Sequence, residues 1–90
     1  MACETVTIVN EKGLHARASA KFVGMVNELA GGLDVQVGKD GTQAGGGSIL
    51  GLMMLGAARG DTIEICVHGD NCEAALAKLV GLVKDGFGED

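Results

Sequence analysis

Leu33-Asp34-Val35-Gln36-Val37-Gly38-Lys39-Asp40-Gly41-Thr42-Gln43-Ala44 is the stretch that decides the fold. Leu33, Val35 and Val37 alternate with Asp34 and Gln36, the period-two pattern of a strand with one buried face. Asp40-Gly41 follows directly, and this dipeptide favours the two-residue turn in which both residues take positive φ. The chain then returns through Thr42-Gln43-Ala44 as a weaker strand. A sheet with apolar residues on one side needs helices on that side only.

Working outward, Thr5-Val6-Thr7-Ile8-Val9 reads as a first strand with Val6 and Ile8 on one side. Asp61 to Val67 repeats the alternation, with Ile63, Ile65 and Val67 inward and Thr62, Glu64 and Cys66 outward. From Ala16 to about Ala30 the period becomes helical, because Phe22, Val23, Val26 and Leu29 form a stripe opposite Arg17, Lys21, Gly24 and Glu28. Gly31-Gly32 closes that helix. A last helix carries Cys72, Ala75, Leu76, Leu79 and Val83 on its inner side, and Asp70 with Glu73 three residues on matches a capping box. Gly86-Phe87-Gly88-Glu89-Asp90 reads as a fraying tail. Ser48 to Gly56 is a short helix, with Ser48 suited to the N-cap and Gly56 to the position after the C-cap. The expected class is therefore α+β: an open-faced β-sandwich in the order β-α-β-β-α-β-α, with a four-stranded, mostly antiparallel sheet and three helices on one face.

At 90 residues the chain is read as one domain, 1–90, large enough for a core without staples. Apolar residues make up 47% but aromatics only 2%, so Val, Ile, Leu, Met and Ala must build that core. The net charge is −5 and the seven Lys and Arg form no cluster, which argues against nucleic-acid binding. Neither a leader nor a membrane-spanning run is visible, and a cytoplasmic, soluble protein is expected. Cys3, Cys66 and Cys72 are odd in number and show no CxxC spacing, which fits reduced thiols. A metal pair of His68 and Cys72 is disfavoured by the turn-like Gly69-Asp70-Asn71 between them. Neither a metal nor a cofactor is expected.

The richest chemistry lies in Gly13-Leu14-His15-Ala16-Arg17, where a loop becomes a helix. A phosphoryl group on His15 would meet the free N–H groups and positive dipole end of the helix, and Arg17 adds a charge-assisted contact. The same field disfavours a protonated ring and keeps a nitrogen nucleophilic. From spacing alone, His15 as a plain helix cap and Arg17 as a solvated charge fit equally well. Lys21, Lys39, Arg59 and His68 read as solvated surface.

Ser48-Ile49-Leu50-Gly51-Leu52-Met53-Met54-Leu55 is apolar on every side. With Leu52 and Leu55 inward, Ile49, Leu50 and Met53 are candidates for an exposed docking patch, a role to which adaptable Met side chains are suited. An ordinary core helix is the competing reading. Gly45-Gly46-Gly47 before it lacks the Lys of a P-loop and reads as a flexible approach to the helix.

Taken together, Gly13-Leu14-His15-Ala16-Arg17, the run from Ser48 to Leu55, and Arg59-Gly60 resemble HPr, the histidine-containing phosphocarrier family of the phosphoenolpyruvate-dependent phosphotransferase system, over essentially the whole chain. The resemblance implies that His15 accepts a phosphoryl group on Nδ1 from phospho-enzyme I and passes it to a IIA domain, with Arg17 stabilising the phosphohistidine. It implies a stoichiometric carrier, not an enzyme, and a monomer that binds neither nucleic acid nor membrane. Ser48 matches the position where family members are phosphorylated by an HPr kinase/phosphorylase, and Ile49, Leu50 and Met53 match the partner-docking surface. Many members have Pro after the Arg; here Ala18 stands there, and somewhat more local freedom is expected. The alternative is the same relay used mainly for regulation instead of sugar uptake. A small hydrolase with His15 as base is the remote third, for want of a second catalytic group.

Overall fold

The computed structural model describes residues 1–29 and 31–89. Its elements are β1 (Ala2–Thr7), α1 (Ala16–Glu28), β2 (Asp34–Lys39), β3 (Thr42–Gly45), α2 (Ile49–Met54), β4 (Thr62–His68), α3 (Cys72–Lys84) and a 3-10 turn at Gly86–Gly88. The four strands form one sheet in the order β1-β4-β2-β3, antiparallel at every pairing. The expected α+β open-faced sandwich is the observed one.

Strand β4 holds the centre because its inward residues Ile63, Ile65 and Val67 are fully buried while Thr62 and Glu64 face solvent. The register sets like against like: Val6 lies opposite Ile63, Val35 opposite Val67, and Val37 opposite both Ile65 and Ala44. The hairpin turn forms as expected, with Asp40 at φ 52° and Gly41 at φ 83°. Against the sheet's inner face lie Ala18 and Phe22 of α1, Leu52 of α2, and Ala75, Leu76, Leu79, Val80 and Val83 of α3. Burying the Val, Leu and Phe side chains among them is worth about 1.5–3 kcal/mol each.

Several boundaries differ from expectation. β1 starts at Ala2 and ends at Thr7, because its length is fixed by the partner: Ala2 pairs with Val67 and Thr7 with Thr62. Ile8 is still tied down beyond the strand, its N–H donating to Asp61 O at 2.8 Å. The helical residues of α1 stop at Glu28; the expected end at Ala30 lies outside the described residues. The capping box at α3 does not form. Asn71, not Asp70, is the N-cap, in the left-handed conformation at φ 59° with no side-chain cap bond, so the turn carries Asp70 away from the helix N–H groups it was expected to bind.

Gly46 is a packed position and not a flexible approach: its N–H donates to Val35 O at 2.7 Å, and a Cβ there would press into the Val35 side chain. The thiols are also corrected. Cys3 and Cys66 are joined in a disulfide, and only Cys72 is free. Antiparallel pairing of β1 and β4 sets the two cysteines directly opposite one another, a proximity that sequence spacing does not reveal.

Candidate functional site

The site begins with a glycine that no other residue can replace without rearrangement. Gly13 has φ 64°, and a Cβ on it would run into the Ala57 carbonyl oxygen, the same oxygen that accepts a 2.9 Å hydrogen bond from Leu14 N. Buried Asn10 braces this loop by donating from Nδ2 to Gly13 O at 2.8 Å. Leu14 inserts into the core, and its carbonyl accepts from the buried Ser19 hydroxyl at 3.3 Å. The chain therefore enters α1 at a fixed angle.

His15 is the N-cap residue of α1, at φ −79° and ψ −176°, and its carbonyl accepts the first helical bond from Ser19 N at 2.9 Å. Its ring makes no cap bond. The ring is therefore not used for capping, and the first N–H groups of α1 are left without an intrahelical acceptor, as at any helix start. Arg17, one residue into the first turn, is exposed and lines the same cleft as His15, together with Glu11, Lys12, Lys21 and Glu89. Besides His15, three cationic side chains (Lys12, Arg17, Lys21) face two carboxylates (Glu11, Glu89) in that cleft. Ala18, where a proline was the family expectation, is fully buried, so packing in place of a ring restrains the first turn.

The segment after α3 belongs to the site, contrary to the expected fraying tail. Phe87, at φ 58°, is wholly buried between Gly86 and Gly88, which also take positive φ. Lys21 Nζ donates to Phe87 O at 2.8 Å, so Lys21 is not merely solvated. The chain then presents Glu89, whose Oε2 lies 2.8 Å from His15 Nε2 while Oε1 accepts from Asn10 Nδ2 at 3.2 Å. Burial pushes the Glu89 carboxyl up, but the hydrogen bonds from Asn10 and His15, with the charges of His15 and Arg17, outweigh it and hold the group below its ordinary value. Sequence reasoning missed Glu89. The readable signal was the aromatic between two glycines, one of only two aromatics in the chain. Asp90, assigned to the same tail, lies outside the described residues.

The α2 reading is close to the observed geometry. Ser48 caps the helix, its Oγ accepting from Gly51 N at 2.9 Å. Leu52 and Leu55 are buried, while Ile49, Leu50 and Met53 are 41%, 67% and 40% exposed. Met54, not singled out from sequence, is the most exposed of the four at 75%. The His15 loop and α2 are mechanically joined, because the Ala57 carbonyl that holds Leu14 follows α2 by three residues.

The remaining polar positions are quieter. Arg59 and His68 are exposed as expected. Lys39 instead pairs with Asp40 at 3.0 Å and approaches Asp61 at 3.8 Å; the Asp40 hydrogen bond is the main cause of its raised pKa. On the outer face of the sheet the donor atoms of Cys3, Glu64 and Cys66 lie within 4.8 Å of one another, but with the two sulfurs bonded together only Glu64 keeps a free donor.

A small two-layer domain that sets one histidine at a helix start, beside an arginine and below an exposed apolar helix, has the architecture of a protein that carries a phosphoryl group. A family model described as the PTS HPr component phosphorylation site matches residues 2–85. The phosphocarrier protein HPr of Neisseria meningitidis serogroup A is 39% identical over 89 residues, covering 99% of this chain and 98% of the relative. The phosphocarrier protein NPr of Escherichia coli K12 is also 39% identical, over 90 residues, covering 97% and 96%. Among solved structures, HPr from Thermoanaerobacter tengcongensis superposes with a TM-score of 0.91 at 36% identity, covering 100% of this chain and 99% of that one. The chain belongs to the HPr family of phosphotransferase-system phosphocarriers. No helix of the described residues is long and apolar enough to cross a membrane.

Proposed function

We propose that this protein, acting as a single-domain monomer in the cytoplasm, accepts a phosphoryl group on Nδ1 of His15 from phospho-enzyme I and delivers it to a IIA domain. The observation that carries this reading is His15 at the N-cap of α1 with a ring unused for capping, in a cleft it shares with Arg17. A dianion on His15 would lie near the free N–H groups of the first turn and the positive end of the helix, with the Arg17 guanidinium available for a charge-assisted contact. Arg17 is exposed, and among the described residues its side chain makes no hydrogen bond or ion pair, so turning it toward the anion gives up only its through-space attraction to Glu89.

Ile49, Leu50 and Met53, extended by Met54, form the surface that enzyme I and IIA domains cover. Ser48 is the regulatory site for an HPr kinase/phosphorylase. Phosphoserine there adds about −1.5 to −2 charges at the edge of an apolar patch, which favours the N-terminus of α2 and opposes docking.

Incubation with phosphoenolpyruvate and enzyme I is expected to place one acid-labile, base-stable phosphate on the protein and none on His15→Ala. Label persisting in His15→Ala would overturn the assignment. A second reading, in which the relay serves regulation more than sugar uptake, draws on the equal 39% identity to proteins named HPr and NPr. Comparing transfer rates to IIA proteins of sugar uptake and of regulation separates the two.

A further inference from the structure

Building on the phosphocarrier reading of His15, we propose that Glu89 is a positioning residue that holds the imidazole with its proton on Nε2 and a bare lone pair on Nδ1. Glu89 Oε2 lies 2.8 Å from Nε2. An ionised carboxylate only accepts hydrogen bonds, so the ring nitrogen facing it must be the protonated one. In the neutral ring the remaining nitrogen, Nδ1, is then the nucleophile. The two nitrogens lie on divergent edges of the ring, and occupation of one edge leaves the other open to an incoming phosphorus.

Glu89 is fixed from behind and is not a loose surface partner. Its second oxygen accepts from Asn10 Nδ2 at 3.2 Å. Asn10 is buried, and the same Nδ2 also donates to Gly13 O at 2.8 Å, within the loop that launches His15. The backbone two residues earlier is pinned by Lys21 Nζ on Phe87 O at 2.8 Å and by burial of the Phe87 ring. One asparagine thus sets the spacing between the histidine loop and the carboxylate that reads its ring. The other charged groups lining this cleft are Arg17 and Lys21 from α1, and Glu11 and Lys12 from the loop before it.

The transfer step assigns Glu89 a second task. The Nδ1 lone pair of His15 forms the new N–P bond while the N–P bond of a phosphohistidine donor protein breaks, its electron pair returning to the donor imidazole. The His15 ring keeps its Nε2 proton and becomes cationic. The Glu89 carboxylate faces that charge at hydrogen-bond distance, as a carboxylate facing an imidazolium does in hydrolytic triads.

The test is long-range 1H–15N correlation of the His15 ring nitrogens in the unphosphorylated protein, above the pH at which the ring protonates. The wild-type protein is expected to show Nε2–H as the dominant tautomer. In Glu89→Gln the ratio of Nε2–H to Nδ1–H is expected to fall about tenfold, the scale of a hydrogen bond to a charged group. Glu89→Asp, which keeps the charge on a shorter arm, is expected to recover part of the ratio. Phosphoryl transfer from a phosphohistidine donor should slow about tenfold in Glu89→Gln, for the same reason. A wild-type ring dominated by Nδ1–H, or a ratio unchanged in Glu89→Gln, overturns the inference. The tautomer measurement needs no phosphoryl chemistry. Wild-type protein that takes no phosphate therefore defeats the carrier reading alone, whereas an unmoved ratio in a phosphate-accepting protein defeats only the role of Glu89.

Discussion

The histidine loop and helix α2 are neighbours built on opposite terms. His15 is held from several directions: by Gly13 against Ala57, by Asn10 behind the loop, by Leu14 in the core, and by Glu89 at the ring. α2 is anchored by buried Leu52, with Leu55 just beyond it, and offers four large apolar side chains outward. A group that reacts must be placed within about 0.5 Å. A surface that meets several partners does better with adaptable apolar side chains than with fixed polar contacts. The first region is defined by the contacts it makes, and the second by those it leaves unmade.

The contrast is broken most severely by removing what anchors the first region. Phe87→Ala is expected to cost about 3–5 kcal/mol in urea unfolding, as truncation of a buried aromatic does, and to release Glu89 from His15. A loss below about 1 kcal/mol would return the segment after α3 to a frayed tail. Ser48→Ala, which deletes the α2 cap bond to Gly51 N, should cost about 1 kcal/mol. Ser48→Asp keeps an acceptor there, yet should slow phosphoryl transfer from enzyme I through its charge. Leu50→Ala and Met54→Ala should leave stability within about 0.5 kcal/mol while weakening partner binding about tenfold in a titration. Equal losses in stability and binding would make α2 an ordinary core helix.

The smallest effect is electrostatic. The Glu89 carboxyl is held below its ordinary value of 4.5 in the folded protein. Its stabilising contribution is therefore fully present above the ordinary carboxylate range and is lost as pH falls through the lowered value. Wild-type protein should exceed Glu89→Gln slightly in stability near neutral pH, and the two curves should converge in acid. Parallel curves down to the acid limit would show that the carboxylate is not engaged.

What could be read from the sequence was whatever repeats locally. The alternation in β2 and β4, the Asp40-Gly41 turn and the Ser48 cap are each set by residues a few positions apart, and each appears where expected. The histidine loop was located for the same reason. The errors that matter most to the site and to the covalent frame have the opposite property. Asn10 meets Glu89 across 79 positions, His15 meets Glu89 across 74, and Cys3 meets Cys66 across 63. None of these has a periodicity to betray it. The failed capping box is the local exception: Asn71 takes the left-handed conformation and becomes the N-cap in place of Asp70.

In its oxidised form the Cys3–Cys66 pair makes much of this molecule a covalent ring. It spans everything from β1 into β4, and by loop-closure entropy a ring of this size destabilises the unfolded chain by about 4 kcal/mol. Cleavage by a protease at one point inside it, for instance in the hairpin turn, would leave the two pieces joined. While the bond is intact, the first strand cannot be exchanged alone for that of another copy, because its neighbour in the sheet is also its covalent partner. The histidine loop leaves β1 just inside this ring, so its starting point stays attached to the central strand even when the rest of the chain unfolds.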